Sequence, residues 1–266
     1  MSENKTERLM EILKGMQSAV IAYSGGVDST FLLKATKLSG IRALAVTAAS
    51  ETMPEDDLFH AKRMAEEIGL EQKIIKTDEV NSEDFRKNPP DRCFYCKDEL
   101  FKRLTEIAAF GGYRFVLDGS NLDDTDDWRP GRKAALIYGV RSPLIEAALT
   151  KKEIRELSRQ LELPTWDRPS SPCLASRFPY GDPITRQKIK QVAEAEGFLR
   201  SCGFREFRVR HHGDIARIEL KEEDFKRIFD PNTRSTIIEK LKSLGYRFVD
   251  IDLEGFRSGK MNEGIE

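Results

Sequence analysis

A glycine-rich turn near the start of the chain is the first stretch whose residue types could do chemistry. The apolar run from Ala19 to Ala22 predicts a buried strand, which leads into Ser24-Gly25-Gly26 and then into a helix opening at Asp28-Ser29. Glycine lets a backbone approach a ligand closely, and the free N–H groups and dipole of a helix N-terminus attract negative charge. The stretch therefore predicts a phosphate or pyrophosphate site. The alternative is an ordinary strand–turn–helix in which Asp28 and Ser29 are only caps.

The order of residues in this turn narrows the class of site. It lacks the Gly-Lys-Ser/Thr ending of a Walker A loop, and its glycine spacing is not that of the Rossmann fingerprint. Ser24-Gly25-Gly26-Val27-Asp28-Ser29 instead resembles the PP-loop of the N-type ATP pyrophosphatases. That resemblance implies ATP as cofactor. It also implies a reaction in which a carbonyl or carboxyl oxygen is adenylated, pyrophosphate leaves and a nucleophile displaces AMP.

A second polar stretch, 118–124, follows the strand predicted over 113–117. Ligands of doubly wound sheets bind at the carboxyl ends of the strands, and this stretch belongs at that edge. Gly119 would let the backbone approach a nucleotide, while Asp123 and Asp124 could hold Mg²⁺ through their oxygens. A solvated acidic loop is the alternative interpretation.

The chain has four cysteines, two of them in the motif Cys93-Phe94-Tyr95-Cys96. This spacing suits a zinc half-site, a redox pair or part of an iron–sulfur cluster. Zinc would need further ligands that no second motif supplies, and a redox pair is disfavoured because the motif is predicted on a loop after Pro89-Pro90. Cys173, in the proline-rich stretch 165–183, is a third ligand if the fold brings it to the same edge. Cys202 is expected to be a small packing residue.

Arg208 and Arg210 alternate on a predicted strand and therefore face one side of it. Adjacent guanidinium groups suit a phosphate or carboxylate, and a solvated, ion-paired strand face is the alternative. Glu194 and Glu196, on the preceding helix, are either surface residues or further metal ligands. The polar stretch 257–262 either frays or folds back over a site.

Alternating strands and helices through the first two thirds of the chain predict a doubly wound, parallel α/β sheet with right-handed crossovers. A capping box of Thr150 and Glu153 marks the start of its last helix. The expected order is helix 6–16, strand 19–22, helix 28–38, strand 41–47, helix 54–68, strand 73–75, loop 81–91, helix 97–110, strand 113–117, strand 141–144 and helix 150–161.

The pattern changes after the proline-rich stretch and predicts a smaller α+β domain. Its expected elements are helix 187–200, strands 204–209 and 215–220, helices 223–229 and 235–244, and strand 247–253. The predicted domains are therefore 1–182 and 183–266.

Composition limits the classes of protein. The charges of the 44 basic and 45 acidic residues nearly cancel, which argues against a protein that mainly binds a nucleic acid backbone. No apolar run approaches the roughly 20 residues of a membrane helix, and the N-terminus has no signal-peptide core. A cytoplasmic protein is expected, with cysteines that are free, catalytic or metal-binding rather than disulfide-bonded.

Four motifs in a fixed order carry a more specific resemblance. Besides the stretches at 24–29 and 118–124, they are Pro172-Cys173-Leu174-Ala175-Ser176-Arg177 and Gly255-Phe256-Arg257-Ser258-Gly259-Lys260-Met261-Asn262. Together they resemble the LarE family, the ATP-dependent sulfur transferases of nickel-pincer nucleotide biosynthesis, over about residues 6–262. The family implies the substrate pyridinium-3,5-biscarboxylic acid mononucleotide, whose adenylated carboxylates become thiocarboxylates, and a homo-oligomer.

The family has two sulfur sources. In one type the cysteine matching Cys173 is sacrificed and becomes dehydroalanine. In the other, three cysteines hold a [4Fe–4S] cluster whose open iron presents a sulfide, supplied as sulfide or by a donor. Because Cys93 and Cys96 accompany Cys173, this sequence resembles the cluster type.

These arguments lead to a set of expected site residues. We expect nucleotide contacts from Ala22, Ser24, Gly25, Gly26, Asp28, Ser29 and Gly119, and catalytic roles for Asp28, Ser29 and Cys173. We expect Mg²⁺ ligands among Asp123, Asp124 and Glu196, and substrate contacts from Arg177, Arg208, Arg210 and Arg257.

Three other functions remain compatible with parts of the pattern. A tRNA thiolation enzyme shares the PP-loop and sometimes three cysteines, but it should carry a basic RNA-binding surface. A synthetase like those for NAD or GMP would use ammonia and leave three cysteines without a purpose. A nucleotide-binding regulatory module with a structural metal would neither consume ATP nor release pyrophosphate.

Overall fold

The computed structural model describes residues 2–125, 130–169, 171–257 and 260. In chain order the helices and strands are α1 (Ser2–Met16), β1 (Ser18–Ala22), α2 (Val27–Ser39), β2 (Arg42–Ala49), α3 (Glu55–Ile68), β3 (Gln72–Lys76), α4 (Glu83–Arg86), α5 (Arg92–Gly111), β4 (Phe115–Leu117), α6 (Gly131–Ile137), α7 (Pro143–Glu146), α8 (Lys151–Gln160), α9 (Arg186–Ser201), β5 (Phe207–His212), β6 (Ile215–Leu220), α10 (Phe225–Phe229), α11 (Pro231–Ser243) and β7 (Phe248–Ile251). No helix in these ranges is both long and apolar enough to cross a lipid bilayer.

The chain divides into two compact units. The first unit comprises Met1–Glu79 and Asp91–Arg168, and the second comprises Val80–Pro90 and Pro169–Glu266. The second unit thus begins before the expected boundary at residues 182 and 183, and it also takes in a segment from the middle of the chain.

Hydrogen bonds explain why residues 80–90 belong to the second unit. The Asn88 side chain donates to the Pro179 carbonyl at 2.7 Å, and the Gly181 amide donates to the Asn88 carbonyl at 2.9 Å. The Ile184 amide donates to the Arg86 carbonyl at 2.9 Å. These bonds tie a segment that was predicted to be a plain loop, and that contains α4, to the end of the proline-rich stretch.

The first unit is built on a parallel sheet with strand order β3-β2-β1-β4. All five residues of β1 are buried, and successive side chains enter two different cores. Ile21 packs into the core formed with α1, α2, α3 and α8, whereas Val20 packs into the core formed with α5 and α6. Helices cover both faces, so the predicted doubly wound α/β fold is confirmed.

Two local predictions in the first unit are wrong. The strand expected over 141–144 reduces to one bridge between Leu117 and Arg141, because Pro143 cannot donate to a sheet and instead occupies the first turn of α7. The helix expected from residue 97 already begins at Arg92, since Pro89-Pro90 precede it and nothing after Asp91 interrupts it. Its earlier start places the cysteine pair on a helix rather than on a loop.

The second unit contains a three-stranded mixed sheet of order β5-β6-β7. Strands β5 and β6 are antiparallel, with Arg210 opposite Arg217, and β7 runs parallel to β6. Residues of α9, α10 and α11 cover one side of this sheet, where Phe207, Ile218 and Leu241 are buried together. The predicted small α+β domain at the C-terminus is confirmed.

Candidate functional site

The glycine turn lies at the carboxyl end of β1 and has a conformation that only glycine adopts easily. Gly25 has φ +76°, and a Cβ atom there would lie 2.8 Å from the Ala61 Cβ of α3. Gly26 occupies the N-cap position of α2, and its carbonyl accepts from the Thr30 amide at 2.9 Å. Gly26 has no side chain that could accept a hydrogen bond from the first amides of α2, a helix of thirteen residues. These amides can therefore donate to a bound anion.

Serine hydroxyls brace the same turn. The Ser29 hydroxyl donates to the Gly26 carbonyl at 3.2 Å and lies 3.1 Å from the Ser24 hydroxyl. Ala22, the last residue of β1, is almost fully buried beneath the turn. The structure therefore brings together all the expected nucleotide contacts between Ala22 and Ser29.

Gly119 joins this group from the neighbouring strand. A Cβ atom at Gly119 would lie 3.0 Å from both the amide nitrogen and the Cα of Ser29. The loop after β4 therefore packs directly against the N-terminus of α2, as the adjacency of β1 and β4 requires. Its close approach depends on glycine.

The acidic side chains after Gly119 hold the loop in shape. Asp124 is buried and accepts from the Asn121 amide at 3.0 Å, while Asp123 accepts from the Lys151 amide at 2.9 Å. Within each unit, over the described residues, no three His, Cys, Asp or Glu side chains lie together in a way that could hold a metal ion. The roles of Asp123, Asp124 and Glu196 as Mg²⁺ ligands stay predictions.

Lys151 connects the two loops and was missed by the sequence argument. Its ammonium group lies 2.5 Å from Oδ2 of Asp28, while its backbone amide bonds to Asp123. The other Asp28 oxygen, Oδ1, is buried without a hydrogen-bond partner among the described residues. A lysine in the first turn of a helix opposes the helix dipole, so its position directly after the N-cap residue Thr150 could have signalled a carboxylate partner.

The cysteines occupy three different settings. Cys93 and Cys96 are three residues apart near the start of α5, so they lie on one side of that helix. Cys173 is exposed in the second unit, immediately before a 3₁₀ turn over Leu174–Arg177. Cys202 packs against the core of the second unit, as predicted. None of the four, all within the described ranges, is in a disulfide.

Arg177 holds the backbone turn that carries Cys173. It is buried, and its Nη1 donates to the Pro172 carbonyl at 2.9 Å and to the Cys173 carbonyl at 3.2 Å. Its Nε and Nη2 both bind the carboxylate of Glu196, each at 2.8 Å. The conformation of the cysteine turn therefore depends on a residue that was predicted to contact substrate.

A cationic cavity of about 180 Å³ lies in the second unit. Arg210 and Arg217 both reach Glu219, at 2.8 and 3.3 Å, so one carboxylate is shared by two guanidinium groups. The lining residues are Arg177, Phe178, Pro179, Tyr180, Arg210, His212, Arg217, Glu219 and Lys260. Four cationic side chains and one carboxylate line the cavity, and Glu196, Asp252 and Glu254, outside the lining, also pair with Arg177, Arg217 and Lys260. The lining therefore offers guanidinium and ammonium donors to an anion, although much of their charge is already balanced.

The remaining residues expected to contact substrate lie near this cavity but contribute differently. Arg208 stacks over the Phe256 ring at 4.8 Å, and burial, followed by the charge of Arg177, lowers the pKa of Arg208 to about 10. Arg257 is exposed and pairs with Glu254 at 2.9 Å. Positions 258, 259, 261 and 262 of the same motif lie outside the described residues.

Lys260 is a lining residue that the sequence argument did not single out. Its ammonium group binds Asp252 at 2.7 Å and Glu254 at 3.0 Å. His212 also lines the cavity, and burial lowers the pKa of this imidazole, which is therefore neutral at pH 7. The positive charge of the cavity thus comes from its arginines and Lys260.

Comparison with known proteins gives the family. No family model matches the chain. The chain is 41% identical over 263 residues to an uncharacterized protein of Synechocystis sp., covering 98% of both. It is also 41% identical over 263 residues to the pyridinium-3,5-bisthiocarboxylic acid mononucleotide synthase of Lactiplantibacillus plantarum, covering 98% of this chain and 95% of that one. An uncharacterized protein of Methanocaldococcus jannaschii is 35% identical over 240 residues, 90% of each chain. Since the similarity extends over nearly the whole of both chains, the protein belongs to the LarE family, that of the Lactiplantibacillus synthase.

Proposed function

We propose that the protein is an enzyme that transfers sulfur, with the use of ATP, to the carboxylates of pyridinium-3,5-biscarboxylic acid mononucleotide. The name of the Lactiplantibacillus relative, a synthase of the bisthiocarboxylic product, supports the substrate. The observation that carries the use of ATP is the glycine turn, in which Gly25 abuts α3 and Gly119 abuts the N-terminus of α2.

The proposed reaction has two steps. A substrate carboxylate oxygen attacks the α-phosphorus of ATP, the bond to the β-phosphate oxygen breaks, and pyrophosphate leaves. A sulfur nucleophile then attacks the acyl carbon, and AMP leaves with the carboxylate oxygen. The amides of the turn would hold the phosphates, and Lys151 would neutralise their charge from its place beside Asp28.

Asp28 of the first unit offers one oxygen ligand for a magnesium ion. Oδ1 of Asp28 is buried without a partner among the described residues, and a carboxylate oxygen in that state is a suitable ligand for a hard cation. We propose that Asp28 holds Mg²⁺, with Asp123 or Asp124 as further candidates. When bound with ATP, this ion would offset the charge of the phosphates.

We further propose that Cys93, Cys96 and Cys173 hold a [4Fe–4S] cluster. The side-by-side placement of Cys93 and Cys96 in one helical turn, and the exposure of Cys173, suit thiolate ligation. A cluster held by three cysteines would supply a sulfide at its open iron. The second candidate is the sacrificial route, in which the Cys173 sulfur itself is the nucleophile.

The cationic cavity of the second unit supports an anionic nucleotide substrate. Arg177 and Arg210, two of the residues expected to contact substrate, line it, and Lys260 adds a further cation. We propose that the cavity receives the phosphate or a carboxylate of the mononucleotide. The expected homo-oligomer and the sulfide donor remain part of this proposal on family membership alone.

Iron and acid-labile sulfide analysis of protein purified and reconstituted without oxygen tests the sulfur source. We expect about four irons per chain. The iron should be lost from Cys93→Ala, Cys96→Ala and Cys173→Ala but kept in Cys202→Ala, which changes a packing residue. An iron-free wild type that loses sulfur mass only at Cys173 after turnover would instead establish the sacrificial route.

Substrate-dependent exchange of labelled pyrophosphate into ATP tests the adenylation step. We expect exchange only when the biscarboxylic mononucleotide is present. No exchange and no AMP formation with that substrate would contradict the proposed function and favour a nucleotide-binding regulatory module. Exchange that requires tRNA would favour the thiolation enzyme.

A further inference from the structure

Arg168 binds the glycine turn directly. Its Nη1 donates to the Gly25 carbonyl at 3.2 Å, and its Nη2 pairs with Oδ1 of Asp57 at 2.7 Å. Asp57 lies in the first turn of α3, the helix whose Ala61 packs against Gly25. One guanidinium group therefore joins the turn to the helix beside it.

The backbone of Arg168 is itself fixed. Arg155 on α8 donates from Nη1 to the Trp166 carbonyl at 2.7 Å and from Nη2 to the Arg168 carbonyl at 2.8 Å. The Arg168 amide also donates to the Thr165 carbonyl at 3.0 Å. Arg155 thus fixes the segment 165–168 to α8, and Arg168 connects that segment to the glycine turn.

The geometry of the peptide bond explains what this contact does. The carbonyl of Gly25 and the amide of Gly26 belong to one planar trans peptide, so they point in opposite directions. Holding the carbonyl on Arg168 aims the Gly26 N–H the other way. The hydrogen bond of that N–H to the Ser24 hydroxyl is long, 3.4 Å, and therefore weak enough for a phosphate oxygen to replace it.

Arg168 also places a positive charge beside the glycine turn. His60 lies on α3, and the pKa of this imidazole is lowered, first by burial and then by the charge of Arg168. It is therefore neutral at pH 7, although Asp57 and Glu67 raise its pKa, while Arg63 lowers it further. Arg168 is a permanent cation beside the turn, and its carboxylate partner is Asp57.

We propose that Arg168 is a positioning residue for the polyphosphate of the nucleotide: it locks the Gly25–Gly26 peptide so that its N–H faces the phosphates, and Asp57 orients the guanidinium. The inference rests on the proposed use of ATP. If it is correct, Arg168, which lies outside the glycine motif, strengthens the binding of the phosphate groups and has little effect on the binding of the nucleoside.

Calorimetric binding of ATP and of adenosine, measured beside thermal unfolding, tests this inference on the full chain. We expect Arg168→Gln to weaken ATP binding about tenfold or more, because a hydrogen bond from a charged donor is lost and the peptide is released. Adenosine affinity should change less than about twofold. Arg168→Lys should recover part of the loss, and Asp57→Asn should show a smaller loss of ATP affinity alone.

Arg63→Gln is the matched control, since it removes a guanidinium from an exposed pair with Glu67 on the same helix. It should bind both ligands as the wild type does. Equal ATP affinity in Arg168→Gln and the wild type would overturn the inference, as would an equal loss of ATP and adenosine binding with a lowered unfolding temperature. A wild type that binds adenosine but gains nothing from the phosphates of ATP would overturn the proposed function as well.

Discussion

Arg177 and Glu196 form a two-point ion pair inside the second unit, with both nitrogen–oxygen distances at 2.8 Å. Their side chains are only 2% and 4% exposed. One Glu196 oxygen also accepts from the Val209 amide on β5, and the same guanidinium holds the backbone at Cys173. A pair of this kind links α9, β5 and the cysteine turn.

Replacing one partner of this pair should strongly destabilise the unit. We expect Glu196→Ala to lower the free energy of unfolding by about 3–5 kcal/mol, because Arg177 is left as an uncompensated buried charge. Chemical denaturation measures this. Glu194→Ala, which removes an exposed carboxylate from a 3.8 Å contact with Lys190, should cost less than about 0.5 kcal/mol.

The same measurement distinguishes this role from the predicted metal ligand. If Glu196 mainly held Mg²⁺, chelation of divalent ions would destabilise the wild type as much as the substitution does. We expect chelation to leave the unfolding midpoint unchanged.

The glycine turn should not tolerate a methyl group. Gly25→Ala would force a Cβ to within 2.8 Å of the Ala61 Cβ at a backbone φ of +76°, so the turn must shift. We expect ATP binding to weaken by at least about tenfold, because a turn displaced from α3 no longer presents its amides. Titration with ATP is the measurement.

Gly15→Ala is the control for that substitution. Gly15 lies within α1, and a Cβ there would have no heavy atom within 4 Å. Alanine should stabilise this helix by up to about 1 kcal/mol and leave ATP binding unchanged. Equal ATP affinity in Gly25→Ala and Gly15→Ala would contradict a close phosphate contact at the turn.

Lys151 should matter for ATP turnover although it lies outside every motif. Lys151→Met removes the ammonium group 2.5 Å from Asp28, and we expect kcat/KM for ATP to fall roughly 10- to 100-fold, the effect of one charged contact. Lys152→Met changes the exposed neighbour and should keep wild-type kinetics. Wild-type kinetics in both variants would exclude Lys151 from the site.

Features of the fold that depend on neighbouring residues are predicted well from the sequence. The turn at 24–29, the capping box of Thr150 and Glu153 and the termination of α3 at Gly69 are all observed, because each depends on contacts within a few residues. The strand predicted near Arg141 is wrong because Pro143 starts α7, so only Arg141 pairs with β4.

Residues that act across long separations could not be found in this way. Lys151 meets Asp28 and Arg168 meets Gly25 only after the chain has folded, and no periodic pattern marks such pairs. Arg177 is a different case. A motif match suggested that it contacts substrate, but in the structure it is buried and forms an ion pair with Glu196. Motifs suggest which chemistry to expect, whereas the partners of these residues are seen only in the folded structure.

Because of the capping box of α8, we expect the free energy of unfolding to decrease as the pH becomes acidic. The ammonium of Lys5, followed by the Thr150 amide, lowers the pKa of Glu153 to about 2. A carboxyl whose pKa is lowered by folding stabilises the protein above its unfolded value of about 4.5 and loses that contribution as pH falls toward 2. Because the pair lies at the surface, with the Glu153 side chain 25% exposed, solvent screening reduces the contribution to about 1 kcal/mol. Denaturation between pH 7 and pH 3 should show Glu153→Gln destabilised at pH 7 and approaching the wild type at pH 3. Glu156→Gln, on the same helix in an exposed pair with Arg159, should follow the wild-type curve. A constant difference between Glu153→Gln and the wild type across this range would mean that the cap acts through shape rather than through charge.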